Sequence, residues 1–431
     1  MGSIRLDTTL ADLYREHGIQ GKFVFAAHCV FAHLDLHPNF PRETTYPEDE
    51  EPVPHGDDEQ EISHLRKVIL GLKLLRRAFG LGNMDVICFS PYATADNMER
   101  ALSQLPSDQR HWPRFVDLDR GNVFEQLQTI TKNRTLVFWR PQGWMQQHNC
   151  LIDTDIAYEI NSKQYLITSG IRTPKSEIVT LEDAEMDISI FSCRKLPFVV
   201  KLCRAGSGFG TYLVTTEDRR KEMLAGLTKY KQRGGKEVLI SEYIDLKQDL
   251  SVHFVIGAPD SNGNRENPSI VGVTVQTLTG DGHWTGGMID YSAQAYLQNL
   301  VEDTLRDTTR RLPVSYIGWA GVDIVIDSTD KQWVVDLNAR LTGSMPICLL
   351  SGHFWKERGL PLAQFAAFQY GGATDDIYNA LSQMIQSGRL VVTATASICE
   401  QLNMADIVWG GKTQDDLLET GNLIRQILTT V

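Results

Sequence analysis

Two stretches of the chain concentrate residue types that handle phosphate and a divalent cation. In the first, Phe198-Val-Val-Lys201-Leu-Cys-Arg-Ala-Gly206-Ser207-Gly208-Phe-Gly210-Thr-Tyr-Leu-Val, Lys201 ends an apolar run and a turn of three glycines and a serine follows. Glycines let backbone N–H groups approach a polyphosphate closely, because no Cβ stands in the way. A lysine on the flanking strand adds a point charge. A plain hairpin turn is the alternative reading of the same residues. No Gly-Lys-Ser/Thr follows, so this is not a Walker A loop, and the glycines lead into a second strand rather than a helix, against a dinucleotide fingerprint.

The second stretch, Gly321-Val-Asp323-Ile-Val-Ile-Asp-Ser-Thr-Asp-Lys-Gln-Trp-Val-Val-Asp336-Leu-Asn338-Ala-Arg340, reads as a hairpin turning at Asp327–Lys331. Asp323 lies on one strand, while Asp336 and Asn338 share a face of its partner at spacing two. Three convergent oxygen donors suit Mg²⁺, which takes one or two carboxylates plus substrate phosphates. The absence of histidine and cysteine from the cluster argues against zinc. Solvated turn carboxylates are the alternative, and Asp327 and Asp330 fit that description. Asp323 and Asp336 fit it poorly, because both sit in apolar runs where an unpartnered carboxylate is costly.

Together, in order and spacing, these residues resemble an ATP-grasp ligase from about Asn161 to Ser344. The resemblance implies ATP and Mg²⁺ as cofactors. It implies that Lys163 and Lys201 hold phosphates and that Gly206–Gly210, with Ser207 and Gly208, forms the loop over them. Glu242, Tyr243 and Ile244 correspond to the adenine-binding segment, and Asp249 to the acid on the ribose hydroxyls. Asp323, Asp336 and Asn338 fall on the family's metal ligands, and Arg340 on an arginine near the transferred phosphate. Asp249 and Asp336 stand where the family more often has glutamate, one methylene longer. In such ligases a carboxylate attacks the γ-phosphate to give an acyl phosphate, and an amine then displaces phosphate. Lys201 and Arg340 are the expected catalytic cations. The expected partners are a small-molecule carboxylate, such as an amino acid, and an amine acceptor. An ATP-grasp phosphotransferase and a non-catalytic ATP-binding regulator are the competing readings.

Substrate groups are sought in the glycine-rich loop Thr279–Gly287, where His283 and Trp284 either touch substrate or pack as a plug, and in Thr342, Gly343 and Ser344, which follow Arg340. His253, mid-strand, reads as a core or cleft histidine. His28, His33 and His37 have spacings that straddle a strand end, which disfavours a metal site.

The elements positioning these residues follow from periodicity. Residues 1–155 alternate apolar strands (Lys22–Phe31, Asp85–Phe89, Arg114–Val116, Thr135–Trp139) with amphipathic helices (Glu61–Phe79 and Ala95–Leu105), predicting a mostly parallel α/β layer that resembles the domain preceding ATP-grasp cores. Residues 156–245 form a small subdomain: a helix at Asn161–Ser169, strands at Pro197–Leu202, Thr211–Val214 and Glu237–Ile240, and a helix from Glu217 to Gln232. Residues 246–370 form a large subdomain with strands at Leu250–Ile256, Ile270–Thr277, Val322–Ile326 and Trp333–Asp336 and a helix from Ala293 to Leu312, where Arg310 and Arg311 end it. Residues 371–431 read helix (Asp376–Gln386), strand (Leu390–Ala396), strand (Ile407–Trp409), helix (Gln414–Leu428). This small C-terminal α/β segment weakly resembles the closing domain of pheganomycin-type peptide ligases, which points to specialised metabolism. The fold class is α/β and α+β.

At 431 residues, the chain has room for several packed units. Its 42 Lys+Arg against 54 Asp+Glu give a net charge of −12, which argues against nucleic acid and an anionic membrane as partners. Eight of the carboxylates crowd into residues 48–61 with no Lys or Arg, a solvated loop without EF-hand spacing. Seven scattered cysteines without a Cys-x-x-Cys pair suit reduced thiols in the cytoplasm. No leader or membrane span is expected. A homodimer is compatible with the sequence.

Overall fold

The computed structural model describes residues 4–27, 72, 74–90, 94–181, 188–206, 208, 210–232, 234–278, 284–399 and 402–429. His28, His33, His37, the acidic stretch 48–61, Ser207 and His283 lie outside the described residues, as does most of the Glu61–Phe79 helix, of which 74–78 are helical.

The N-terminal layer is a four-stranded parallel sheet of β1 (Phe23–Ala26), β2 (Asp85–Ser90), β3 (Trp112–Asp117) and β4 (Thr135–Phe138) in the order β3-β2-β1-β4. All four residues of β1 are buried, as a near-continuous apolar strand inside a parallel sheet should be. Thr9 caps the opening helix Leu10–Glu16 by accepting from the Asp12 N–H.

The second sheet is antiparallel: β5 (Ser176–Thr180), β6 (Phe198–Leu202), β7 (Thr211–Val214) and β8 (Glu237–Glu242), ordered β5-β8-β6-β7. Helix Glu217–Gln232 covers it, burying Met223 and Leu227 against Phe198, Val200, Val214 and Val238. Its β5 edge was not expected, because Ser-Glu-Ile-Val-Thr carries no buried face: all five residues remain at least partly exposed.

The third sheet has eight strands: β9 (Leu246–Ile256), β10 (Ser269–Leu278), β11 (Trp284–Asp290), β12 (Gly318–Asp327), β13 (Gln332–Asn338), β14 (Leu362–Tyr370), β15 (Leu390–Cys399) and β16 (Leu402–Gly411). They run β13-β12-β9-β10-β11-β14-β16-β15. Helix Gln294–Thr309 packs on β10 and buries Leu297, Val301 and Leu305 in one core with residues of β9 and β12. The stretch expected as a loop up to Gly287 is strand from Trp284 onward. Gly286 is there because β14 comes too close for a side chain: a Cβ on it would lie 1.9 Å from the Phe365 carbonyl oxygen. The C-terminal segment adds β15 and β16 to this same sheet through β14, which was also unforeseen, and its expected single helix Asp376–Gln386 is two, Thr374–Ala380 and Ser382–Gln386. No helix among the described residues is long and apolar enough to cross a membrane.

Candidate active site

Sheet register builds the acidic end of the site. Asp323 on β12 pairs directly with Asp336 on β13. On the other side, β9 sets Ser251 opposite Asp323 and Asp249 opposite Val325, so Asp249, Ser251 and Asp323 share one face of the sheet. The Ser251 hydroxyl donates to Asp323 Oδ1 at 2.7 Å. Burial pushes Asp323 up to about 7, aided by Asp336 and Asp249 and opposed by the Ser251 bond and Lys163. Asp249 rises to about 6 by burial, moderated by Lys201. A buried carboxylate crowded by two others, as Asp323 is, gains from a cation placed beside it.

The cations arrive from outside the large sheet. Lys163 opens helix Lys163–Thr168, whose N-cap Ser162 accepts from the Tyr165 N–H, and its ammonium pairs with Asp336. Lys201, at the end of β6, reaches across to donate to the Val335 carbonyl at 2.8 Å. Burial, then Lys163, brings Lys201 down from 10.5 to about 8, while Asp336, Asp323 and Asp249 pull the other way. Arg340 donates to Asn338 Oδ1 at 2.7 Å. Two of the three expected ligands, Asp336 and Asn338, therefore touch two of the three cations expected near the phosphates, Lys163 and Arg340. Among the described residues no three His, Cys, Asp or Glu side chains converge as a metal group, and the donor set expected from the sequence, Asp323, Asp336 and Asn338, offers two carboxylates and an amide. That set is hard and oxygen-only, and fits Mg²⁺.

Lys163, Lys201, Asp249, Asp323 and Asp336 line a cleft between the small and large sheets, with Leu166, Val199, Leu213 and Leu239 as apolar wall. Glu242, Tyr243 and Ile244 line its far end, where the chain leaves β8 for β9, and Asp249 faces it from β9. Gly206 and Gly208 line the cleft beside Lys201. Gly210 (φ +66°) has no room for a Cβ, which would stand 2.7 Å from Leu202.

A second pocket adjoins the first and shares Gly208, Gln276, Asp323 and Asp336 with it. Asn338, Arg340, Thr342, Gly343, Ser344 and Trp284 line it, together with Arg76, Arg77 and Trp139 from the N-terminal layer. Trp284 packs against Phe365, ring centroids 5.8 Å apart, and also lines this pocket. A Cβ on Gly343 would meet that ring at 2.9 Å. His253 is buried between two hydroxyls, Nε2 to Thr274 at 3.0 Å and Nδ1 to Thr342 at 2.9 Å, and burial takes it down to about 3, so it is neutral. Arg76, Arg77 and Trp139 were missed. The signal was an arginine pair inside the apolar run Leu74-Leu75-Arg76-Arg77-Ala78-Phe79, where charge demands a partner.

A two-sheet clamp over a cleft with lysines on one wall and paired acids on the other is the ATP-grasp architecture, one that works with ATP and Mg²⁺. More particularly, residues 174–338, from just before β5 to the end of β13, match the family described as L-aspartate–L-methionine ligase, ATP grasp. The D-alanine–D-alanine ligase of Desulforudis audaxviator is 24% identical over 186 residues, 42% of this chain and 57% of that one. The chain thus spans little more than half the length of that relative. In fold it is similar to an ADP complex of N5-carboxyaminoimidazole ribonucleotide synthetase (TM-score 0.53, 10% identity, covering 94% of this chain and 97% of that one). It is also similar to the Aspergillus clavatus carboxyaminoimidazole ribonucleotide synthase complexed with ATP (TM-score 0.51, 11% identity, 83% and 96% covered).

Proposed function

We propose that the protein is an ATP-dependent carboxylate–amine ligase that forms an amide or peptide bond with release of ADP and phosphate. The observation carrying this reading is the meeting of the two pockets at Asp323 and Asp336: a phosphate held by Lys163 and Lys201 in the first cleft lies next to a second chamber large enough for organic substrates. A regulatory nucleotide site has no use for that second chamber.

In this reading Glu242, Tyr243 and Ile244 receive the adenine, Asp249 the ribose, and the Gly206–Gly210 turn covers the phosphates. Asp323, Asp336 and Asn338 would hold Mg²⁺, which supplies charge neutralisation at the phosphate oxygens. A substrate carboxylate oxygen attacks the γ-phosphorus as the bond to the ADP oxygen breaks. Arg340, anchored on Asn338, steadies the acyl phosphate. The amine nitrogen then attacks the acyl carbon, loses its proton, and inorganic phosphate leaves. The backbone N–H groups of Gly343 and Ser344 and the Ser344 hydroxyl, which line the same pocket, would stabilise the oxyanion. No protein nucleophile is needed. The likeness to an L-aspartate–L-methionine ligase family and to a D-alanine–D-alanine ligase supports amino acids as substrates. The free thiols at Cys88, Cys150, Cys193, Cys203 and Cys348 suit a cytoplasmic setting, and the resemblance of the last ~60 residues to peptide-ligase closing domains supports specialised metabolism.

The test is ADP release from Mg²⁺-ATP with a panel of amino acids, with hydroxylamine as a surrogate amine. A ligase yields ADP and a hydroxamate. A phosphorylated stable product instead would make it a phosphotransferase, and no ADP above background with any pair would overturn the reading.

A further inference from the structure

Gly208, Gln276, Asp323 and Asp336 line both pockets. Gly208 belongs to the phosphate turn and the two acids to the metal end, which leaves Gln276 without a role. Its position is set by sheet register. On β10, Thr274 pairs with Ser251, which pairs in turn with Asp323. Gln276 stands two residues beyond Thr274, so it shares the face that carries Asp249, Ser251 and Asp323. On its other side Gln276 pairs with Gly287 of β11, which projects nothing onto that face. The group nearest to where a Gly287 Cβ would stand is the Ser344 hydroxyl oxygen, 3.3 Å away. Neighbouring polar side chains on the face are engaged. Ser251 donates to Asp323 at 2.7 Å, and Thr274 hydrogen-bonds with His253 at 3.0 Å. The half-buried Gln276 amide makes no hydrogen bond to any described residue.

Resting on the ligase reading, we infer that Gln276 is a catalytic residue whose Nε2 donates to an oxygen of the phosphoryl group as it passes from nucleotide to substrate. That group starts on ADP in the first pocket and ends on the substrate carboxylate in the second. A residue lining both pockets meets it before and after transfer. In the step itself the bond from phosphorus to the ADP oxygen breaks and the bond to the carboxylate oxygen forms, while the amide keeps its protons. An amide offers two N–H donors and does not ionise. It therefore adds a hydrogen bond to the moving oxygens without adding a charge among Asp323, Asp336, Lys163 and Lys201. A donor fixed in advance where charge is redistributed acts on the transition state more than on the ground state. ADP lacks the group that Gln276 touches, so its affinity does not depend on the residue.

The experiment compares wild type with Gln276→Leu and Gln276→Glu in the Mg²⁺-ATP and hydroxylamine assay, with ADP affinity measured by titration calorimetry. Leucine keeps the bulk and removes the donor. Glutamate keeps the shape and presents lone pairs in the donor's place. Both variants should lose about 100-fold in kcat for ADP and hydroxamate formation, while the Kd for ADP and the KM for the carboxylate move less than about threefold. A residue that merely fills space would tolerate the glutamate, so the Glu variant decides the matter even if the Leu variant does not fold. Either variant, folded and turning over within about threefold of wild type, overturns the inference. So does a loss of ADP binding in step with turnover, which would place the effect in the cleft's structure. Hydroxamate formation by the wild type tests the ligase reading separately: its absence removes that reading, whereas its presence beside fully active variants removes only the role of Gln276.

Discussion

The depressed ionisation of Lys201 makes nucleotide affinity depend on pH in a way that can be calculated. Its ammonium is buried beside Lys163 and falls to about 8 in the free protein, whereas a phosphate bound against it demands the charged form. The sign follows directly: below about 8 the charge is already present, and above it ADP binding must draw a proton from solvent. The fraction protonated drops from about three quarters at pH 7.5 to about 3% at pH 9.5, so the Kd for ADP should rise about 25-fold over that interval. The nucleotide's own phosphate ionises at about 6 and contributes little there. Titration calorimetry in two buffers of different ionisation enthalpy reads the same event as uptake of nearly one proton at pH 9.5. Lys201→Arg, whose guanidinium does not titrate in this range, should flatten the profile. A Kd that changes less than about threefold between pH 7.5 and 9.5, with no proton uptake, would refute the assignment of Lys201 to the phosphates.

Three other perturbations have defined outcomes. Asp336→Ala removes a carboxylate that pairs with Lys163 and faces Asp323; turnover should vanish while circular dichroism is retained, and undiminished activity would remove Asp336 from the metal site. Asp406→Ala strips a buried bidentate partner from Arg76 and should destabilise by about 3 kcal/mol in urea unfolding, whereas Arg76→Met with Asp406→Leu should recover most of that loss. Equal destabilisation by the single and double variants would show that the pair is not coupled. Gly343→Ala drives a methyl into the Trp284 ring, so substrate KM should rise while ADP affinity holds; an unchanged KM would mean the ring yields freely.

The legible parts of the molecule were those whose logic is local. Lys201 with its glycines, and Asp323 with Asp336 and Asn338, each lie within one hairpin, so strand periodicity alone sets them on a common face. β9, β12 and β13 emerged for the same reason, being long, apolar and bounded by turns. The illegible strands each lack one of those marks. β5 has no buried face. β11 carries Gly286, which only makes sense once the Phe365 carbonyl of β14 is seen 1.9 Å from where a Cβ on it would be. Arg76, Arg77 and Trp139 come from a different layer, more than 100 residues from β9 in the chain, and only tertiary packing brings them to the pocket that Arg340 also lines.

The eight-stranded sheet also fixes when the protein can acquire its site during synthesis. β11 leaves the ribosome early but finds its outer neighbour only after β14 is made, and β14 is itself an open edge until β16 arrives past residue 402. Arg76 waits for Asp406 across 330 positions. Pairings of such long sequence separation are slow to form and leave apolar strand edges exposed meanwhile. A nascent chain halted before β16 would therefore carry its complete phosphate and metal motifs on an unfinished sheet, and chaperone dependence should be greatest over that interval of translation.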